Sequence, residues 1–271
     1  MAFDGLKRDL FETYSEDKWT SNVHNLARMR GKDAMVQLAD AVSATVGARY
    51  ADLQRGHSDE IPNILNQKKV DSQWVYWTRN ADEKKALSVL FEKLKLDGSM
   101  LMSTPTHDKH ALVGLRVNAD ELRVCFRIAA SAQIDCRNLA AKLTKENYIT
   151  PFIELLGELP EGFVLGVDDA VVDAAGFGTD DIETLSPLLA DGAGAFSIRR
   201  TWSVDAAQDA GAELVTPLAA ALEALEPLYR FCAWNRENDH TEVGKQLQAV
   251  EAQKQAKALA FEPGQNVRIV G

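Results

Sequence analysis

The sequence predicts an α+β fold in which an antiparallel sheet of about five strands is packed against helices. Segments of alternating apolar residues come in neighbouring pairs, which favours antiparallel pairing, and segments with three-four apolar spacing lie before and after them. With 271 residues, 46% of them hydrophobic and 26% charged, the chain is long enough for a substantial core and has the composition of an ordinary globular protein.

The first fifty residues predict three helices, because their apolar residues fall on one side of a helix. The three stripes are Phe3, Leu6, Leu10 and Phe11, then Val23 and Leu26, then Met35, Leu38, Val42 and Val46. Residues 49–69 contain Gly56, Pro62 and several side-chain amides, so a loop is expected there.

Residues 72–79 are rich in aromatic and branched side chains, which predicts the first strand. A helix is expected to begin at Asn80, because Asn80 and Glu83 have the spacing of a capping box. The apolar residues on one face of this helix are Leu87, Leu90, Phe91 and Leu94.

Residues 110–117 and 122–128 predict a β-hairpin joined through residues 118–121. Both arms alternate between apolar and polar side chains, so one face of the hairpin is expected to lie in the core. The residues of that inward face are Val113, Leu115, Val117, Leu122, Val124, Phe126 and Ile128.

Two helices are expected after the hairpin. The first lies around Leu139 and Leu143. The second is predicted to begin at Thr150-Pro151, because threonine is a good helix cap and proline suits the first helical position.

Short strands are predicted at residues 163–167 and 196–202, on either side of an acidic insert that contains glycine. Thr216-Pro217 repeats the capping pattern and precedes the strongest apolar helical stripe of the chain. Pro227 is expected to kink that helix or to restart it.

The chain is expected to form an α+β core domain over residues 1–240, a helical linker over 241–260 and a terminal strand over 261–271. The linker is rich in Gln, Lys, Glu and Ala, and its apolar seam is too weak for a coiled coil.

The terminal sequence Pro263-Gly-Gln-Asn-Val-Arg-Ile-Val-Gly271 resembles the first strand of a KOW motif, in which a Pro-Gly turn precedes a strand like Val-Arg-Ile and then a glycine. With the two residues before it, positions 261–271, the resemblance covers about eleven of the 271 residues and lacks the rest of a barrel. It implies contact with RNA, the ribosome or RNA polymerase. An edge strand that returns to the main sheet is the alternative interpretation.

The formal net charge of −10 is unevenly distributed. Between Pro151 and Leu228, fifteen acidic residues accompany only Arg199 and Arg200, whereas the rest of the chain has a small basic excess. The total charge therefore does not exclude a local contact with phosphate.

Strand alternation predicts a basic face on the sheet. If the apolar residues of the hairpin point inward, its arginines point to the opposite face, and Arg199 is expected to join them. These hairpin arginines are Arg116, Arg123 and Arg127. Guanidinium groups suit phosphate or carboxylate, and three aromatic residues are candidates for stacking on a base, namely Trp74, Tyr76 and Trp77. The plainer interpretations are a solvated face or an internal partner for the acidic residues between positions 168 and 183.

The sequence contains no catalytic signature and predicts no metal and no cofactor, because His107 and His110 lack further ligands nearby. The cysteines, at 125, 136 and 232, are predicted to be buried reduced thiols. No stretch approaches ~18 uninterrupted apolar residues and the first residues do not resemble a signal peptide, so the protein is expected to be cytoplasmic and not membrane-bound.

Three functions are therefore considered. The first is a non-enzymatic interaction protein, associated with RNA or with the transcription and translation machinery, in which Arg268 and the sheet arginines contact phosphate. The second is a small-ligand-binding protein or an enzyme that uses the basic face. Its candidate residues are Trp77, Arg79, His110 and Arg116. The third is a structural, self-assembling domain; the oligomeric state itself is not predicted.

Overall fold

The structure, a computed structural model, describes residues 3–94 and 104–241 together with the isolated positions 245, 248, 249 and 252. The strands are β1 (Gln54–His57), β2 (Gln73–Thr78), β3 (Leu112–Val117), β4 (Glu121–Ile128), β5 (Val164–Val167), β6 (Ala170–Asp173) and β7 (Phe196–Ser203). The helices are α1 (Arg8–Glu12), α2 (Asn25–Val46), α3 (Ala81–Leu94), α4 (Gln133–Leu143), α5 (Glu146–Gly157), α6 (Thr179–Asp191), α7 (Val204–Asp209) and α8 (Val215–Cys232).

The strands form one antiparallel sheet in the order β1-β2-β3-β4-β7-β5-β6, so the predicted α+β class is confirmed. Helices α2 and α8 pack on one face of the central strands. The main hydrophobic core lies between these helices and the sheet and includes the predicted inward residues of the β3–β4 hairpin. We call this the inner face of the sheet, and the opposite one the outer face.

The sheet has seven strands rather than about five. The two additional strands, β1 and β6, are short edge strands without the apolar alternation from which strands are predicted. The four residues of β1 include Gln54, Arg55 and His57, all exposed, and β6 is likewise mostly exposed. Backbone hydrogen bonds to β2 and β5 define these strands, since neither buries a whole apolar face. The loop expected over residues 49–69 thus contains a strand.

Two of the predicted N-terminal helices are one continuous helix, α2. Val23 precedes it within a short 3₁₀ turn and is 86% exposed, and Leu26 is 60% exposed, so neither forms the expected inward stripe. Gly31 lies inside this helix because Tyr14 packs directly on it. A Cβ atom at position 31 would stand 2.6 Å from the Tyr14 hydroxyl oxygen.

Helix α5 begins at Glu146, several residues before the predicted start, and contains Pro151 in its interior. The missing proline N–H costs one helical hydrogen bond, and the helix is retained because it buries Phe152 and Leu156 in the core. Helix α8 likewise runs through Pro227 without restarting.

Other local predictions are confirmed. The Asn80 side chain accepts a hydrogen bond from the backbone N–H of Glu83 at 3.0 Å, which caps α3. The side-chain oxygen of Asn118 accepts from the N–H groups of Asp120 and Glu121 at 3.0 and 2.9 Å, which closes the turn between β3 and β4. The three cysteines are free and buried.

A buried ion pair connects β2 to helix α4. The Arg79 guanidinium donates to the carboxylate of Asp135, and the two side chains are only 3% and 1% exposed. The same carboxylate accepts from the backbone N–H groups of Ala111 and Trp234, each at 2.9 Å. Asp135 therefore holds together, through its hydrogen bonds, the three segments that contain Arg79, Ala111 and Trp234.

In the described part of the chain, no helix has the length and apolar character needed to cross a membrane. The predicted linker and terminal strand, residues 241–271, lie outside the described residues except for positions 241, 245, 248, 249 and 252.

Candidate functional site

The outer face of the sheet forms the floor of a cavity of about 930 Å³. Its walls come from residues 55–59 and 65–72, from the turn at Pro105–Asp108 and from the β5–β6 turn at Asp168 and Asp169. The four arginines predicted for this face all line the cavity: Arg116, Arg123, Arg127 and Arg199. The pairing register explains why, since strand alternation sends each of them to the outer face.

Three of these arginines, Arg116, Arg123 and Arg199, form what we call the arginine cluster. Arg116 and Arg123 are directly opposite each other on β3 and β4, and Arg199 on β7 is opposite Cys125. Like charges in directly opposite positions destabilise a sheet. This arrangement therefore needs a compensating negative charge.

Within the protein, that compensation is incomplete. The Glu121 carboxylate forms an ion pair with Arg123, and its Oε1 atom is 4.0 Å from Nη1 of Arg116. Arg199 donates from Nη1 to the backbone oxygen of Asp168 and to Oγ of Ser197, both at 3.0 Å, and both acceptors are uncharged. Among the described residues, Glu121 is thus the one carboxylate within ion-pair distance of the cluster. Asp71 and Asp169 act on Arg116 and Arg199 from farther away.

The pKa directions show the repulsion within the cluster and the carboxylates that oppose it. Burial lowers the pKa of Arg116, and the neighbouring Arg123 guanidinium lowers it further, against the opposing effects of Asp71 and Glu121. The pKa of Arg199 is lowered by the same two causes in the same order, against the opposing effects of Glu121 and Asp169. An arginine side chain nevertheless keeps its proton at neutral pH, so the cluster stays cationic.

The fourth sheet arginine, Arg127, is already neutralised. Its guanidinium pairs with the Asp108 carboxylate, and Oγ of Ser131 donates to the backbone oxygen of Asp108 at 2.6 Å. These contacts hold the Pro105–Asp108 turn over one end of the floor. Arg127 therefore secures a wall of the cavity and is less available to a ligand than the other three arginines.

The predicted base-stacking surface is not open. The His107 ring stacks on Trp74 at a centroid distance of 5.6 Å and lies tilted over Tyr76 at 5.9 Å. The Arg116 guanidinium also lies 5.7 Å from the centre of the Trp74 ring. Both Trp74 and Tyr76 are consequently buried, and a nucleotide base has no free aromatic face to stack on here.

Three residues of the second functional hypothesis do not line this cavity: Trp77, Arg79 and His110. Trp77 pairs with the inward residue Val113 and stacks on Tyr50 in the core at 6.0 Å, and Arg79 is held by Asp135. The structure thus separates these three residues from Arg116, although it brings Arg79 near enough to His110 to lower the pKa of that histidine. Arg268 lies outside the described residues.

The acidic residues between positions 168 and 183 act on the arginines only from a distance, since Asp169 opposes the lowering of the Arg199 pKa. Among the described residues, no ion pair joins this segment to the sheet, and Arg199 reaches the backbone of Asp168 rather than its carboxylate. Asp168 instead accepts from the Ala195 N–H at 2.9 Å. We call Asp59, Asp168 and Asp169 the acidic rim, because these carboxylates border the cavity without an ion-pair partner in the described chain.

The sequence pairs Asp168 and Asp169 with the basic face as one interpretation, whereas it gives no such role to Asp59 or Cys125. The rim comes from loops, whose positions no local pattern reveals, whereas Cys125 could have been placed because it shares the outer face of β4 with Arg123 and Arg127. Burial raises the pKa of the Cys125 thiol, against the combined effect of the four arginines around it.

The described residues bring together no group of three His, Cys, Asp or Glu side chains suited to a metal ion. No family model matches the chain, and no curated protein is similar to it. The fold and cavity therefore define the class, an α+β protein with an arginine-rich cavity on an open sheet face, and the KOW resemblance stays a prediction.

Mild acid is expected to destabilise the fold through two histidines. Burial lowers the pKa of His110 from 6.5 to about 2, helped by Arg79, Lys84 and Lys109, and burial also lowers the pKa of His107 against the opposing effect of Asp108. The unfolded chain then binds more protons than the native one below pH 6.5, so the unfolding free energy should fall as the pH decreases. Each such histidine contributes up to about 1.4 kcal/mol per pH unit.

Urea unfolding at pH 7.5, 6.5 and 5.5 measures this dependence. His110→Gln should reduce the slope between pH 6.5 and 5.5, whereas His57→Gln, which changes an exposed histidine, serves as the control. Equal slopes in the wild type and His110→Gln would contradict the buried, neutral state of His110.

Proposed function

We propose that this chain binds a small anionic ligand in the cavity on the outer face of the sheet, through Arg116, Arg123 and Arg199. One observation carries the proposal: three guanidinium groups line the cavity floor, and among the described residues only Glu121 lies within ion-pair distance of them. A bound anion would relieve the repulsion that this single ion-pair partner leaves between them.

A merely solvated face explains the arginines less well. The side chains of Arg116 and Arg123 are only 19% and 18% exposed, so water screens their charges poorly. In addition, the Nε atom of Arg123 is buried without a hydrogen-bond partner among the described residues. Oε1 of the adjacent Glu121 also lacks a hydrogen-bond partner, so the Arg123 N–H group is available to a ligand without requiring one.

Contact with RNA, the ribosome or RNA polymerase remains a separate proposal that rests on the terminal residues and Arg268. The cavity favours a small ligand over a nucleic acid, because a chain of phosphates would have to pass the acidic rim. The three free thiols fit a reducing compartment, so we keep a cytoplasmic location within the proposal.

The test is isothermal titration with inorganic phosphate at low ionic strength and pH 7.5. Arg116→Gln and Arg199→Gln are each expected to weaken binding about tenfold, because each removes about one charge-assisted hydrogen bond to the ligand. Arg8→Gln is the control, because Arg8 lies in an exposed ion pair with Asp205 on another part of the surface.

The same variants separate a binding role from a structural one. Arg116→Gln removes a repulsion and breaks no short ion pair, so it should leave the free energy of unfolding unchanged or raise it by up to about 1 kcal/mol. Loss of stability together with loss of binding would indicate a structural arginine. An equal loss of phosphate binding in Arg8→Gln, or no binding to the wild type, would contradict the proposal.

A further inference from the structure

The charge of the cavity floor favours a particular class of anion, provided that the proposed anion-binding function holds. The arginine cluster carries three positive charges, and Glu121 removes one of them. Two positive charges then lack an ion-pair partner among the described residues, with Asp71 and the acidic rim lying farther off around the same cavity. A phosphate monoester carries nearly two negative charges at neutral pH and offers three acceptor oxygens, whereas a carboxylate carries one charge and two oxygens.

The available hydrogen-bond donors also fit a phosphoryl group. The Arg116 guanidinium approaches Glu121 only at 4.0 Å and forms no hydrogen bond with any other described side chain, Nε of Arg123 is unpartnered, and Arg199 uses only Nη1. Planar guanidinium groups bind phosphate oxygens in pairs. The cluster thus keeps enough free N–H groups for all three oxygens.

The three arginines surround Cys125 on the outer face of the sheet. This residue lies on the outer face of β4 between Arg123 and Arg127, opposite Arg199 on the adjacent strand. Arg116, opposite Arg123, approaches it from β3, and neighbouring strands are only ~4.8 Å apart. A phosphoryl group over Cys125 is consequently within reach of all three members of the cluster.

The rest of the cavity favours a ligand that carries hydroxyl groups. At about 930 Å³ the cavity has the volume of a site for a whole small molecule, and so has room for more than a phosphate ion. Its acidic rim has carboxylates that accept hydrogen bonds from hydroxyls and repel a second negative charge. The ligand should therefore carry its negative charge at one end.

We infer that the cavity binds a small polyhydroxylated phosphate monoester, a sugar or polyol phosphate, with its phosphoryl group over Cys125 and its hydroxyls toward Asp59, Asp168 and Asp169.

Isothermal titration of the full chain tests this inference with a panel of triose, pentose and hexose monophosphates, inorganic phosphate, gluconate, glucose and a hexose bisphosphate. At least one monophosphate should bind at least tenfold more tightly than inorganic phosphate and gluconate. Glucose alone should not bind, and the bisphosphate should bind no more tightly than the monophosphate. Between pH 7.5 and 5.5 monophosphate binding should weaken severalfold, because the phosphoryl group with its second pKa near 6 becomes a monoanion.

Asp169→Asn tests the acidic rim. Asp169 lies exposed in the β5–β6 turn, and the change keeps its shape. It should lower the affinity for the preferred monophosphate at least threefold and leave inorganic phosphate unaffected, whereas Arg116→Gln should weaken both. An equal effect of Asp169→Asn on both ligands would overturn the assignment of hydroxyls to the rim.

Failure of the monoester inference can be distinguished from failure of the proposed anion-binding function. If gluconate, inorganic phosphate and the monophosphates bind equally and all respond to Arg116→Gln, the anion cavity stands and the monoester inference is overturned. If no small anion binds while a single-stranded RNA does, with the salt dependence of phosphate contacts, then both the inference and the proposed function are overturned.

Discussion

Replacing Asp135 with alanine is expected to lower the free energy of unfolding by about 3–5 kcal/mol, the cost of leaving a buried charge without its partner. The change would leave the Arg79 guanidinium buried and uncompensated, and it would remove the acceptor for the N–H groups of Ala111 and Trp234. Urea unfolding at pH 7, followed by tryptophan fluorescence, measures the loss.

Asp40→Ala is the matched control. Asp40 pairs with Arg55 in an exposed ion pair on α2, so its loss should change stability by no more than about 0.5 kcal/mol. Replacing Arg79 with methionine and Asp135 with leucine together should recover only part of the loss, because the two backbone N–H groups still lack an acceptor. If Asp135→Ala lowers the free energy of unfolding no more than Asp40→Ala does, the stabilising role assigned to Asp135 is wrong.

The second large effect is expected at Gly114, in the centre of the sheet. A Cβ atom there would stand 2.7 Å from the backbone oxygen of Val75 and 2.9 Å from Cα of Tyr76. These are backbone atoms, so relief requires β2 and β3 to separate. We expect Gly114→Ala to cost about 2–3 kcal/mol, within the range of an overpacked core, and to weaken phosphate binding by displacing the cavity floor.

Gly157→Ala supplies a control with the opposite sign. Nothing lies within 4 Å of a Cβ atom at position 157, at the end of α5, so alanine should stabilise the protein by about 0.4–1 kcal/mol through the unfolded chain. Thermal unfolding of both variants compares them. If both variants shift the melting temperature equally and in the same direction, close packing at Gly114 does not determine the effect of alanine on stability.

The central strands were predictable because their signal is local. Each residue of β3 and β4 points to the face opposite its neighbours, so the position of Val124 in the core fixes that of Arg123 on the other side. The same logic, applied further, would have placed Trp77 inward, since it alternates in step with Val75. Alternation, the ground for grouping Trp77 with Arg116, in fact places the two side chains on opposite faces.

The rest of the site was not predictable, because distant contacts decide it. Asp108 pairs with Arg127 nineteen positions later, and His107 covers Trp74 from a turn with no apolar pattern. The distinction between a neutralised Arg127 and the uncompensated Arg116 depends on such contacts. The same holds for β1 and β6, which are edge strands defined by their partners.

The two-sided sheet has a consequence for protein engineering. On β4, Phe126 contributes to the hydrophobic interior while its neighbours Cys125 and Arg127 border the cavity, and on β7 Ile198 alternates in the same way with Ser197 and Arg199. A mutant library confined to every second position of these strands would vary ligand selectivity while preserving the residues that drive collapse.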